Sequence, residues 1–345
     1  MSAPPFPELT EMERIIDANS ALSVRSICEV ESGGRHFPVY ALALGSKRPD
    51  VPVVGFFGGI HGLERIGTQV VLAYLHSLLA RLRWDTVLEE RLNSVRLVFM
   101  PLVNPVGMWR GTRCNGQGVD LMRNAPVDSA EKVPFLFGGQ RLSRRLPWFR
   151  GDAGQPMEIE SQAVCRVVRE ELFGRPFSLA LDCHSGFGMR DRIWFPYACS
   201  RLPIPHLPEM HALHDLFSHA YPHHPYVFEP QCRQYLAHGD LWDHLYGQAV
   251  NSGTGIFLPL TLELGSWIWI RKNPLQLFSR GGLFNPLPMH RRQRALRRHL
   301  LWLDFLALAA AAHRRWLPQG PAREEHRRSA LARWYRDAGA AAMAE

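Results

Sequence analysis

The chain reads as an α/β protein, and three observations carry that reading. Apolar runs at 51–57, 95–103, 177–181 and 256–264 are too short for helices and nearly continuous, as strands buried on both faces of a parallel sheet require. Between them, apolar residues recur at helical spacing: Ile66, Val70, Val71, Tyr74, Leu75, Leu78 and Leu79 after the first run, and Val164, Val167, Val168 and Leu172 before the third. The length of 345 residues with 46% hydrophobic content suffices for one large core. The expected organisation is a single body over residues 1–317, followed at 318–345 by an arginine- and alanine-rich tail or peripheral helix.

The elements follow in order. Residues 7–20 read as a short helix. Residues 23–30 and 36–44 alternate around the turn ESGGRH, the pattern of a hairpin. The run VPVVGFF is a buried strand broken by Gly58 and Gly59, and a helix begins near Ile66, so His61 and Glu64 fall in the strand-to-helix turn. Open α/β sheets place their ligands at the carboxyl ends of strands. An imidazole and a carboxylate in such a turn are half of a zinc site. The alternative is that His61 merely opens the helix and Glu64 complements its dipole.

The run 95–103 closes at the turn Asn104-Pro105. Residues 108–126, MWRGTRCNGQGVDLMRNAP, have no hydrophobic period and read as a long loop over the end of the sheet. Arg110, Arg113 and Arg123 make this loop an anion-site candidate, since guanidinium binds carboxylate bidentately. Residues 127–155 are irregular, with RLSRRLPWFR as a basic flap, and a helix spans about 158–172.

The strand at 177–181 runs into Asp182, Cys183 and His184. Neighbours on a strand point to opposite faces, so Cys183 and His184 cannot both turn to one metal. His184 is the candidate, because a hydrolytic zinc site takes two histidines and one carboxylate and keeps a position open for water. Asp182 shares the parity of His184 and is placed to orient its ring.

The proline-rich interval 200–226 holds six further histidines, read as solvated or capping because only His211 and His214 share a helical face. Residues 234–246 are turn-rich and contain Tyr235. The last strand, 256–264, carries Glu263 within an apolar run. Burial of that kind raises a carboxyl pKa, which suits a general base. From His290 the pattern is helical, and the apolar block 300–312 around Asp304 is too short and interrupted to cross a membrane.

The net charge of +8 is local. Residues 290–345 hold twelve arginines against five acidic residues, so nearly all of the excess lies in that segment. It carries no aromatic stacking motif, and a solvated helical face is expected rather than nucleic-acid binding. Six scattered cysteines without a CxxC pair and an opening stretch of acids and prolines point to reduced thiols, no secretory signal and a cytoplasmic setting.

Taken together, HGLE at 61–64, NPVG at 104–107, WRGTR at 109–113, GVDLMRN at 118–124, DCHSG at 182–186, YLAHG at 235–239 and TLELG at 261–265 stand in one order. On these motifs the chain resembles the zinc metallocarboxypeptidases of the carboxypeptidase A type from about residue 30 to residue 310. The resemblance implies an α/β fold with a mixed, mostly parallel sheet of about eight strands sandwiched between helices. It also implies one Zn2+ per chain held by His61, Glu64 and His184, with Glu263 as general base and proton shuttle and Arg113 stabilising the oxyanion. Arg123 would bind the substrate carboxylate with Arg110 assisting, and Tyr235 would close over the bound residue.

One departure bears on the substrate. Met122 stands where the family has an asparagine before the arginine. Either Asn124 substitutes for it, or the substrate lacks an ordinary free C-terminus. The ungapped match around YLAHGDLWD puts Trp242 in the side-chain pocket, which would then be apolar or partly filled. Three functions follow: a carboxypeptidase acting on peptides or peptidoglycan fragments, a zinc deacylase of small N-acyl amino acids, and a silent binding module on the same fold.

Overall fold

A computed structural model describes residues 6–335 apart from 187 and 280; the ends of the chain, including 336–345 of the expected tail, lie outside the described residues. Helix α1 (Pro7–Asp17) leads into β1 (Ser23–Ser32) and β2 (Arg35–Gly45), the hairpin that the Gly-Gly turn implies. Then come β3 (Val53–Gly58), α2 (Arg65–Arg81), α3 (Thr86–Leu92), β4 (Arg96–Met100) and α4 (Pro105–Arg110). Helix α5 (Ile159–Val167) continues through a π-turn at Val168–Leu172 into β5 (Phe177–Gly186).

The second half holds β6 (Arg192–Phe195), α6 (Leu207–Ala220), β7 (Val227–Pro230), α7 (Leu241–Ser252), β8 (Ile256–Gly265) and α8 (Trp267–Lys272). It ends with α9 (Met289–Ala311), α10 (His313–Trp316) and α11 (Gly320–Trp334).

The strands make one eight-stranded sheet in the order β1-β2-β4-β3-β5-β8-β6-β7. Its centre, β4-β3-β5-β8, is parallel, while β1 with β2, β2 with β4, and β6 with β8 are antiparallel. The expected mixed sheet is therefore present. Alternation along β3 divides the core. Phe56 faces Tyr74 of α2, while Phe57 on the opposite side meets Trp242 of α7 edge-on. Helices α2 and α9 pack together on one face, with α5 and α7 on the other. Both faces of the central strands are thus dry, which explains why those strands read as continuous apolar runs.

Several elements depart from the sequence reading. The segment expected as one long loop from 108 opens inside α4, whose Asn104 cap accepts from the Gly107 N–H. The turn-rich segment at 234–246 contains the start of α7, where the Asp240 side chain accepts from the N–H groups of Trp242 and Asp243. Strands β6 and β7 lie in stretches to which the sequence reading assigned no element. The C-terminal segment forms α11, which lies against α6 and is tied to it by Arg323 on Glu209. No helix among the described residues is long and apolar enough to cross a membrane.

This order puts the carboxyl ends of β3, β5 and β8 side by side, with His184 directly opposite Glu263 in the register of β5 and β8. All the candidate ligands leave the sheet at that edge.

Candidate metal centre

His61 and Glu64 occupy the turn between β3 and α2. The turn sits tightly on the start of the arginine loop: a Cβ at Gly62 would fall 2.0 Å from the Gly107 backbone carbon. Glycine there lets the two segments touch. His184 comes from the end of β5, and all three side chains are buried. His61 Nδ1 lies 2.9 Å from Glu64 Oε1, His184 Nδ1 lies 3.1 Å from Glu64 Oε2, and the two Nδ1 atoms are 3.2 Å apart.

The outer ring nitrogens decide what these contacts mean. His61 Nε2 is 3.1 Å from Asp120 Oδ1, and His184 Nε2 is 2.6 Å from Asp182 Oδ2. A carboxylate only accepts, so each Nε2 carries the ring proton and each Nδ1 presents a lone pair inward. Two nitrogen lone pairs and a carboxylate then face one another with no proton between them, an arrangement that calls for a cation. Tetrahedral ligands about 2.0–2.1 Å from zinc stand roughly 3.3 Å apart, close to the spacing here. The donor set fits Zn2+, with a fourth position left for solvent or substrate.

Asp182 takes the orienting place that parity along β5 assigns it, and the Trp242 indole donates to it at 2.9 Å. Asp120 went unnoticed in the sequence. It is wholly buried, accepts from Arg113 Nε at 2.8 Å, and is held far below the usual carboxylate range by Arg113 and His61 despite the opposing effect of burial. Its only sequence signal is an acid in an otherwise basic loop. Glu64 is also held low: burial would raise its pKa, but the two imidazoles overcome that effect.

Glu263 faces the same space from β8. A Cβ on Gly186 would stand 2.2 Å from its Oε1, so the glycine of DCHSG makes room for this carboxylate. Burial first, and then the charge of Glu64, push its pKa up to about 8. Arg113 approaches from the other side, its Nη1 3.3 Å from Glu64 Oε1.

These groups line a cleft of about 440 Å³. At one end Arg123 is buried, its Nη2 donating to the Tyr235 hydroxyl at 3.1 Å and its Nη1 3.5 Å from Asp240. Its Nε is buried without an acceptor among the described residues. Met122 lines the cleft beside it, as do Arg192, Trp194, Gln231 and Thr261.

Three expected substrate residues are elsewhere. Arg110 turns outward and donates to Ser32 Oγ and the Gly116 carbonyl, because α4 carries it to the far side of the loop. Asn124 is spent on the backbone, donating to the Arg150 carbonyl and accepting from the Glu158 N–H, and so does not replace the missing asparagine. Trp242 lies behind the cleft on α7, buried against Phe57 and serving Asp182, so it is no pocket residue; the aromatic part of the wall comes instead from Phe137, Trp148 and Trp194. The histidines of α6 depart as well: His211 and His214 are buried, not solvated.

Residues 25–257 match the family described as zinc carboxypeptidase. Carboxypeptidase SOL1 of Arabidopsis thaliana is 23% identical over 248 residues, covering 69% of this chain and 45% of that protein. Carboxypeptidase E of Caenorhabditis elegans is 26% identical over 156 residues, covering 41% of this chain and 32% of that protein. The chain thus spans less than half the length of these curated relatives. Among solved structures, carboxypeptidase A from Helicoverpa armigera superposes with a TM-score of 0.63 at 19% identity, covering 88% of this chain and 71% of that one. Thrombin activatable fibrinolysis inhibitor gives 0.62 at 19% identity, with 88% and 72% covered. At such identities the likeness is one of fold.

Proposed function

The chain belongs to the zinc carboxypeptidase family, and we propose that it hydrolyses the last amide bond of a peptide bearing a free C-terminal carboxylate. The observation that carries this reading is the buried Arg123, with an Nε donor awaiting an acceptor, in the same cleft as the His61–Glu64–His184 cluster. A buried donor without a partner is costly, and a carboxylate relieves it.

Zinc bound at the cluster supplies Lewis-acid polarisation of a carbonyl and a water of near-neutral pKa. The chain's own groups do the rest. Arg123 and Tyr235 hold the substrate carboxylate, which sets the scissile carbonyl toward the cluster. Glu263, as the carboxylate, accepts the proton of the attacking water as the new C–O bond forms. Arg113, fixed by Asp120, donates to the carbonyl oxygen as negative charge builds there. The C–N bond then breaks, and Glu263 returns the proton to the departing amine.

In a wall that also holds Phe137, Trp148 and Trp194, Gln231 and the Glu229-paired Arg192 are polar groups offered to the side chain of the released residue. Met122 keeps one rival in view: with no amide beside Arg123, an N-acyl amino acid whose own carboxylate meets Arg123 would fit the same machinery. The test is a matched panel of free-acid peptides, their C-terminal amides and N-acyl amino acids, assayed with and without chelator. Chelator-sensitive release of single C-terminal residues from the free acids alone is the expected result; cleavage confined to N-acyl amino acids would replace this reading with the deacylase.

A further inference from the structure

We propose that His211, Asp215 and His326 form a second site for a divalent transition metal, one that clips α11 to α6. His211 and Asp215 are four residues apart on α6 and so share one face of it. His326 comes from α11, which lies beyond the segment matched by the family. The three ligand atoms converge: His211 Nδ1 is 2.9 Å from His326 Nδ1 and 3.3 Å from Asp215 Oδ2, and His326 Nδ1 is 3.9 Å from that same oxygen.

The catalytic cluster supplies the yardstick within the same molecule. There too the two Nδ1 atoms face each other, 3.2 Å apart, and share one carboxylate. Two of the three edges at the second cluster fall near the roughly 3.3 Å spacing of tetrahedral zinc ligands. The third, at 3.9 Å, is about 0.6 Å longer than that spacing and would be closed by rotation of the partly exposed Asp215 and His326 side chains. Imidazole nitrogen with a single carboxylate selects zinc-like ions over calcium or magnesium, which require mostly oxygen.

The surroundings hold the ligands in place. The other oxygen of Asp215 lies 3.0 Å from His214 Nδ1, and His214 Nε2 is 3.3 Å from Ser218 Oγ, so the carboxylate is steered from behind. Trp334 lies edge-on to the rings of both His211 and His214 and closes the inner side. The side chains of His326 and Asp215 remain about a third exposed, at 28% and 33%, which leaves an entry path and room for water as a further ligand. A hydrogen-bonded His–His pair would need one ring proton between the nitrogens; a metal removes that proton and joins all three residues.

The inference does not depend on the peptidase reading, and metal counting separates the two. The full chain, stripped by chelator and equilibrated with zinc chloride at neutral pH, should hold two zinc ions per chain. His326→Gln should hold one and keep its hydrolytic rate, and Asp215→Asn, a milder change, should behave alike. His61→Ala should also hold one, but without hydrolysis. An excess of calcium should displace neither ion. A single zinc in the unaltered chain that persists in His326→Gln overturns the second site. A single zinc that disappears in His326→Gln but survives in His61→Ala upholds it and places the error in the catalytic cluster instead.

Discussion

Among the described residues, two clusters of two histidines and one carboxylate occur, similar in inner spacing and held in opposite ways. His61, Glu64 and His184 leave the ends of neighbouring parallel strands, and each imidazole is fixed from behind by a buried carboxylate, Asp120 or Asp182. His211, Asp215 and His326 stand on two helices at the surface; the carboxylate is steered by His214, and two of the three side chains are partly exposed. The difference teaches where chemistry is built. A rigid sheet edge with locked tautomers leaves an ion one open position and a defined orientation, whereas a helix-to-helix pair suits a clip. Only the first cluster has an acid of raised pKa, Glu263, and a guanidinium, Arg113, in the same cleft.

The largest effect that probes this contrast is expected from Glu263→Gln. It keeps the shape of the cleft, removes the proton acceptor, and should lower kcat roughly 10²–10⁴-fold, while zinc content measured by atomic emission stays at the wild-type level. A variant with near-normal turnover would take Glu263 out of the reaction and erase the main distinction between the two clusters.

Arg123→Ala comes next. Losing a charge-assisted contact of about 1.5–3 kcal/mol should raise KM for free-acid peptides by roughly ten- to a hundredfold. The matching amides, already poor substrates, should change little. Equal losses on acids and amides would mean that Arg123 supports the fold rather than the carboxylate.

The buried carboxylates behind the first cluster offer a third test. Asp120→Asn and Asp182→Asn should each weaken zinc binding roughly 10–100-fold. Competition against a chromophoric chelator reads this directly. Because Asp120 also fixes Arg113, its variant should in addition lose kcat at saturating zinc, while Asp182→Asn should recover most of it. Unchanged zinc affinity in both would show that the locked tautomers contribute nothing to the grip of the sheet edge.

What could be read in advance follows the same contrast. The central strands declared themselves because burial on both faces leaves an unbroken apolar run, and His61, His184 and Glu263 were legible as polar residues at the ends of such runs. Strands β6 and β7, only four residues each and the latter ending in Pro230, are too short to show a period. Asp120, Arg110 and Arg113 belong to one aperiodic loop, and nothing local says which side chain turns inward. Helix α4 makes that choice, carrying Arg110 outward. Trp242 was misplaced for a related reason: once Asp240 caps α7, a position that would line the cleft as a turn lies behind it as a helix. The second cluster was invisible because His326 lies 111 residues after Asp215 and only the packing of α11 on α6 brings them together.

The smallest expected effect concerns Met122, which lines the cleft where the resemblance implies an asparagine. Its thioether is buried beside Arg123 and cannot donate to a carboxylate, and Asn124 is committed to the backbone around Arg150 and Glu158. The carboxylate end of the cleft is thus read as resting on Arg123 and Tyr235, with no help from positions 122 and 124. In Met122→Asn an amide N–H would lie near that end, and a net hydrogen bond of about 0.5–1.5 kcal/mol lowers KM for free-acid peptides roughly two- to tenfold. The amides should not improve, because they lack the charge that rewards the new donor. If N-acyl amino acids gain while peptides do not, the missing asparagine marks a different substrate rather than a weaker grip on the same one. If neither gains, Met122 acts by filling space, and the selectivity of this cleft lies instead with Arg192 and Gln231 in its wall.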